Sequence, residues 1–281
     1  MVLGAGGQVG SALVHALTAQ GAKVTAVTRS ELDAADTAAC EAYIHQKNAQ
    51  SKLDYLFNAV AYTAVDNAES EPELADTLNH KLPATLARLS QSLGFTLVHY
   101  STDYVYPGNG ETPYTESSST KPLSVYGKTK LAGDEAVLRT APNALIGRTS
   151  WVYAKSGKNF VNTMLGLAQS RSELSVVDDQ IGAPTSARYI ADTTLELLST
   201  KQQGVFHIVP SGFTSWAGFA REIFALHQCD VQVHGIPSSD YPTPAKRPLN
   251  SRLSTAKLQQ ALGHDIPDWR SVLHAEFGAA N

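Results

Sequence analysis

The chain opens on a short apolar run, Met1-Val2-Leu3, that enters the turn Gly4-Ala5-Gly6-Gly7-Gln8-Val9-Gly10. Beyond the turn, Val9, Leu13, Ala16 and Leu17 recur at helical spacing on one face. A strand, a glycine-rich turn and a helix in this order constrain the fold more than any other feature of the sequence. Glycine is required where backbone turns sharply and approaches an anion held at the N-terminus of the next helix. Gly4, Gly7 and Gly10 follow a GxxGxxG spacing, because Val9 stands where the third glycine of GxGxxG would fall. Such turns also arise for geometric reasons alone, so the weight of this one comes from the elements downstream of it.

Those elements alternate regularly. Lys23 to Thr28 reads as a β-branched strand, Ala34 to Gln50 as a helix and Leu53 to Phe57 as a strand. Glu71 to Leu93 reads as one long helix, Thr96 to Tyr100 as a strand, Val125 to Arg139 as a helix and Ala144 to Gly147 as a strand. The period is βαβ, which predicts a doubly wound, Rossmann-like α/β fold with a parallel sheet and right-handed crossovers. After Arg148, prolines at 184, 210, 237, 242, 244, 248 and 267 break the pattern into short pieces. The expectation is a dinucleotide-binding domain over 1–148 and a smaller, mostly substrate-binding lobe over 149–281. The runs near 174–178 and 205–209 are expected to return as edge strands of the first sheet, interleaving the lobes. Ser117-Ser118-Ser119-Thr120 reads as a loop.

Composition excludes several functions. With 43% hydrophobic and 17% charged residues in 281, the chain can bury a large core. A net charge of -4 leaves no electrostatic footprint for nucleic acid or an anionic membrane. The uncharged stretch from Met1 to Ala22 is too rich in glycine for a membrane segment and lacks a preceding Lys or Arg. Cys40 and Cys229 form no metal knot or disulfide framework, which points to a reducing cytoplasm. The sequence holds no HxxxH pair, no GxSxG elbow and no GxxxxGKS or GxxxxGKT P-loop, so zinc hydrolase, serine hydrolase and P-loop kinase readings drop out.

Where an acidic residue would meet an NAD ribose, at the end of the second strand, the sequence has Thr28-Arg29-Ser30. Arg29 suits the 2′-phosphate of NADP, or is an ordinary surface arginine; NADPH is favoured with NADH left open. Asn58-Ala59-Val60-Ala61 offers small residues where a ribose and nicotinamide would pass close to backbone, or where a helix simply packs. In Tyr126-Gly127-Lys128-Thr129-Lys130, the phenol and ammonium sit at i and i+4 of a helix, so both project from one face. A neighbouring ammonium favours the phenolate, which makes Tyr126 a candidate general acid. As a bare pattern YxxxK is common on solvated helix faces; here Ser101-Thr102-Asp103 ends the preceding strand and offers a hydroxyl for a substrate carbonyl.

These residues carry a resemblance. GxxGxxG, Asn58-Ala59-Val60-Ala61, Ser101 to Tyr106 and YxxxK resemble the extended short-chain dehydrogenase/reductase family. Within it, Thr63 to Glu69, Tyr126 to Gly133, Arg148 to Tyr153, Asp179 to Thr185 and Arg247 to Leu253 resemble the dTDP-4-dehydrorhamnose reductases, over nearly the whole chain. The resemblance implies Thr102, Tyr126 and Lys130 as the catalytic set. Gly4, Gly7, Gln8, Val9, Gly10, Arg29, Asn58, Ala59 and Ala61 would join Tyr126 and Lys130 in holding the cofactor. Val65, Thr102, Tyr104 and Trp151 would lie near the sugar nucleotide, with Arg247 and Arg252 pairing with its diphosphate or remaining surface charges. The implied reaction reduces the C4 ketone of dTDP-4-dehydro-L-rhamnose with NADPH, with no metal.

Related 4,6-dehydratases use an Asp-Glu pair where this chain has Asp103-Tyr104, so the resemblance argues against elimination. Asp66 and Glu69 read as loop or helix-cap residues. Some family members bridge dimers through magnesium on acidic residues; here Ala12 and Arg188 stand at two such positions, leaving Asp192 and an expected monomer or weak homodimer. Only three residues precede Gly4, so the first strand is expected to be short through a trimmed or misassigned start. Two alternatives stay open: another nucleotide-sugar reductase or epimerase, and a non-catalytic NADP-binding regulatory subunit.

Overall fold

Turn signals and hydrophobic spacing resolve into alternating elements in the computed structural model, which describes residues 1–278. The first half runs β1 (Val2–Leu3), α1 (Gln8–Ala19), β2 (Ala26–Val27), α2 (Thr37–Gln50), β3 (Tyr55–Asn58), α3 (Pro72–Asp76), α4 (Leu82–Leu93), β4 (Thr96–Thr102), α5 (Val125–Thr140) and β5 (Leu145–Thr149). The second half adds β6 (Val152–Tyr153), α6 (Phe160–Ala168), β7 (Glu173–Val177), β8 (Ile181–Gly182), β9 (Thr185–Ser186), α7 (Ala187–Ser199) and β10 (Gly204–His207). It ends with β11 (Thr214–Ser215), α8 (Trp216–Leu226), β12 (Gln232–Ile236), α9 (Ala256–Leu262) and α10 (Trp269–Phe277). Residues 279–281 of the expected second lobe lie outside the described residues.

Six strands form one parallel sheet in the order β10-β5-β4-β3-β1-β2. The chain leaves β1 in one direction for β2 and comes back on the other side for β3, so the strand order reverses at β1 and β3. That reversal opens a crevice at the carboxyl ends of the strands. One face is covered by Cys40 and Ile44 of α2, Leu82, Leu86 and Leu89 of α4 and Val137 of α5. The other is covered by Leu13 of α1, Ile190, Leu195 and Leu197 of α7 and Leu258 of α9.

Two expectations about strands change. Lys23 to Thr28 shortens to Ala26–Val27, because only those residues find a register on β1. The run near 205–209 joins the sheet as β10, parallel to β5, whereas the run near 174–178 does not reach it. That run forms β7, which pairs in parallel with β12 and buries Leu174 and Val176 in a separate core with Val161, Met164, Phe219, Phe224 and Trp269. The smaller lobe therefore owns a sheet of its own.

The long helix expected over 71–93 is interrupted. A π turn over Thr77–Lys81 separates α3 from α4, and Pro83 sits in the first turn of α4. Proline has no N–H to give Asn79, four residues back, so the carbonyl there is free of its helical partner. The freed carbonyl packs against Gly133 of α5, where a Cβ would lie 2.1 Å from the Asn79 oxygen. Only glycine lets the two helices approach so closely.

Candidate active site

The crevice is built from the glycine-rich turn upward. Gly4 has φ of 76°, and a Cβ there would stand 2.9 Å from the Ala59 carbonyl carbon. A Cβ on Gly10 would lie 2.1 Å from the Gly4 oxygen. These contacts seat the turn against the end of β3 and bring Ala59 next to it. The N-terminus of α1 receives no side-chain cap, and its first turn has no acidic residue, so its N–H groups suit a phosphate. Arg29 stands exposed on the turn after β2. Glu31, two residues on, is used within that turn: it accepts from the Thr28 N–H at 2.9 Å and hydroxyl at 3.1 Å. The residues present fit a dinucleotide.

Asn58 links this turn to the next elements. Buried at the end of β3, its Oδ1 accepts from the Val60 N–H at 3.2 Å, and its Nδ2 faces His99 Nδ1 at 3.1 Å. On the other side of the His99 ring, Nε2 is 3.5 Å from Lys130 Nζ. Lys130, 1% exposed, donates to the Tyr100 carbonyl at 2.5 Å. Burial lowers its ammonium to about 8, with Asp134 pulling the other way.

Tyr126, one turn before Lys130 on α5, is half-buried, lies beside the Thr102 hydroxyl and packs edge-on against Tyr104 with ring centroids 5.5 Å apart. Burial pushes its phenol above the ordinary tyrosine value, and the Asp103 charge adds to the rise. This corrects the expectation of a depressed phenol: the ammonium goes to Tyr100, and desolvation of the phenolate dominates. Thr102 donates to Asp103 Oδ1 at 3.0 Å and accepts from the Tyr104 N–H at 3.2 Å. Burial raises Asp103 to about 6.

Two side chains hold the start of α5. Ser124 caps it by accepting from the Gly127 N–H at 3.1 Å, and Glu69 reaches over to accept from the Val125 N–H at 2.9 Å. Asn79 braces the middle: Nδ2 donates to Thr129 Oγ1 at 3.2 Å, while Oδ1 accepts from the Tyr62 N–H at 2.9 Å, just past Ala61. Nothing in the local sequence announces Asn79, because its role depends on the π turn.

A cleft of 990 Å³ opens in the smaller lobe, lined among others by Phe160, Met164, Gln180, Trp216, Tyr241 and Arg247. Arg247 connects it to Tyr104. Its Nη1 donates to the Tyr104 hydroxyl at 3.4 Å, while Nη2 pairs with Asp66 Oδ2 at 2.6 Å. Asp66 also accepts from the Ala245 N–H at 3.2 Å, so the loop carrying Arg247 is clasped to the first domain. Trp151 stands behind the cleft, stacked on Trp216 with centroids 3.7 Å apart, and holds φ of 49°. Its ring lies where a Cβ on Gly182 would come within 2.8 Å. Arg252 bonds Asn250 Oδ1 at 3.0 Å, and Val65 sits half-buried in the turn before Asp66.

Sequence reasoning missed Phe160, Met164 and Trp216, whose helical spacing reads as core. Gln180 was within reach, since it belongs to the Asp179 to Thr185 motif. A second cavity, of 590 Å³, lies between α1, α7 and the loop at 154–157, lined by Gly7, Gln8, Ala12, Arg188 and Asp192. Among the described residues, no group of three or more His, Cys, Asp or Glu is arranged to hold a metal, and no helix is long and apolar enough to cross a membrane.

The family model described as RmlD substrate binding domain matches residues 1–279. A dTDP-4-dehydrorhamnose reductase of Shigella flexneri is 41% identical over 286 residues, covering 96% of this chain and 94% of that protein. A solved dTDP-4-dehydrorhamnose reductase of Clostridium acetobutylicum superposes with a TM-score of 0.92 at 36% identity, over 98% of this chain and 96% of that one. One from Bacillus anthracis, solved in complex with NADP, gives a TM-score of 0.92 at 32% identity over 98% and 97%. With a glycine turn, a tyrosine–lysine helix and a second-lobe cleft on one Rossmann-like frame, matched end to end by that model, the chain belongs to the RmlD substrate binding domain family.

Proposed function

We propose that this protein is an NADPH-dependent reductase that converts dTDP-4-dehydro-L-rhamnose to dTDP-L-rhamnose. The observation that carries the reading is the convergence of Thr102, Tyr126 and Lys130 on the carboxyl end of β4, linked through His99 and Asn58 to the glycine turn. Relatives named for this reaction match the chain nearly end to end, and one is solved with NADP.

The uncapped start of α1 and the Gly4 to Gly10 turn would hold the pyrophosphate of a bound dinucleotide, with Asn58, Ala59 and Ala61 beside it and Arg29 available to a 2′-phosphate. The hydride to C4 of the sugar would come from the nicotinamide when bound. Thr102 polarises the C4 carbonyl by turning its hydroxyl from Asp103 to the substrate oxygen. Tyr126 gives its proton to the oxygen as negative charge develops there, and burial keeps that proton in place until then. Lys130, one turn further along the same helix and held at the Tyr100 carbonyl, would orient the nicotinamide ribose. Tyr104, Arg247 and the cleft beyond them receive the nucleotide end, with Val65, Trp151 and Arg252 at the margins. Arg247 reaches a diphosphate only by sharing its charge with Asp66.

Loss of reduced-cofactor absorbance with dTDP-4-dehydro-L-rhamnose is the direct test, and it should match product one to one. Cofactor that binds but is not consumed would instead indicate an epimerase or a regulatory subunit. Tyr126→Phe should reduce turnover by roughly 10²–10⁴-fold with cofactor affinity unchanged; wild-type turnover in that variant would dismiss the phenol as proton donor.

A further inference from the structure

Behind the catalytic helix a line of buried polar groups crosses the core. Asp134, on α5 one turn after Lys130, is fully buried. Its Oδ2 accepts from Arg148 Nε at 3.0 Å. Arg148 is itself buried on β5 and donates through Nη1 to the Tyr106 hydroxyl at 2.8 Å. Asp134 Oδ1 has no hydrogen-bond partner, and the His99 Nε2 atom is 3.8 Å away. A carboxylate in such a place costs stability, so an isosteric apolar core would be easier to build.

The tautomer of His99 explains the arrangement. Asn58 Oδ1 is occupied by the Val60 N–H, so Nδ2 faces His99 Nδ1, which must accept. The ring proton then sits on Nε2, directed at the space between Asp134 Oδ1 and Lys130 Nζ. Burial and the Lys130 charge keep the ring neutral. Lys130 thus finds no acceptor in His99 and donates its hydrogen bond to the Tyr100 carbonyl. Asp134 pairs directly with Arg148, and its charge also acts on Lys130, one turn earlier on the same helix.

We propose that Asp134 is a positioning residue of the reaction: its carboxylate, held by Arg148 and facing His99, keeps the Lys130 ammonium charged at the carboxyl end of β4. This rests on the catalytic reading of Tyr126 and Lys130. The groups facing Lys130 support it. From β4 come neutral His99 and the Tyr100 carbonyl, with Asp103 beyond them beside Tyr126; from β5 comes Arg148, bound to Asp134 and to the Tyr106 hydroxyl. The contact of the π turn with α5 is neutral, Asn79 to Thr129. Asp134 is the charged neighbour that raises Lys130 against its desolvation.

The test is the pH profile of kcat/KM in purified full-length variants. Asp134→Asn keeps the size and the acceptor for Arg148 and removes the charge, so Lys130 loses its proton earlier. The basic limb should move down by about one pH unit. Asp134→Glu should restore it. Arg148→Gln removes the cation that pairs with Asp134, leaving its charge to act on Lys130, and should move the limb up. A purely structural Asp134 would lower activity equally at every pH and leave the limb in place, which would overturn the proposal. If Asp134→Asn does not fold, the direction of the limb in Arg148→Gln decides. Lys130→Met separates the two levels: wild-type turnover there removes the catalytic reading, whereas an inactive Lys130→Met with unmoved limbs in the other variants removes only the role of Asp134.

Discussion

In the proposed reaction Lys130 has to be charged, yet it sits where charge is costly. Tyr126 faces the opposite condition, since burial holds its proton more tightly than water would. The two departures set the pH response. With Lys130 lowered to about 8 and the phenol held above its ordinary value, the first proton lost on raising pH is the ammonium's. Turnover should fall above about pH 8, and the affinity for NADPH should fall with it if the lysine holds the ribose. A basic limb above the ordinary tyrosine range would show that Lys130 stays charged throughout, against this reading. At the same scale, Arg247 illustrates what a motif leaves out. From the sequence it is either a diphosphate partner or a surface charge, whereas in the fold its guanidinium is already taken by Asp66 and Tyr104.

Among the elements, α5 decides the most. Its start is tied by Ser124 and Glu69 and its middle by Asn79, and the contact with α4 depends on Gly133. The π turn before Pro83 is what turns the Asn79 carbonyl outward onto that glycine. Gly133→Ala has no room for its methyl, so either the turn or α5 must shift. The cost should be about 1–3 kcal/mol, seen as a lower thermal midpoint. Turnover should drop as well, because the same helix carries Tyr126 and Lys130. An unchanged midpoint would mean that the helices separate without penalty.

For the molecule as a whole, the two halves of the chain are not separable units. α7 covers one face of the main sheet and β10 completes its edge, and both come after residue 148. A fragment of residues 1–148 would expose Val2, Phe57, Val98 and Leu145 where Ile190, Leu195 and Leu197 now lie. It should show no cooperative thermal transition by circular dichroism; a sharp one would mean that the first half folds alone. Local pattern sufficed for the glycine turn, the alternation that made the sheet parallel and the spacing that put Tyr126 and Lys130 on one helix face, because each rests on contacts a few residues apart. The break at the π turn, the pairing of β7 with β12 instead of the main sheet, the clasp of Arg247 by Asp66 and the direction in which the phenol titrates were decided only by tertiary structure. They depend on which distant groups meet and on how much water the fold removes, and neither is written in any short stretch of chain.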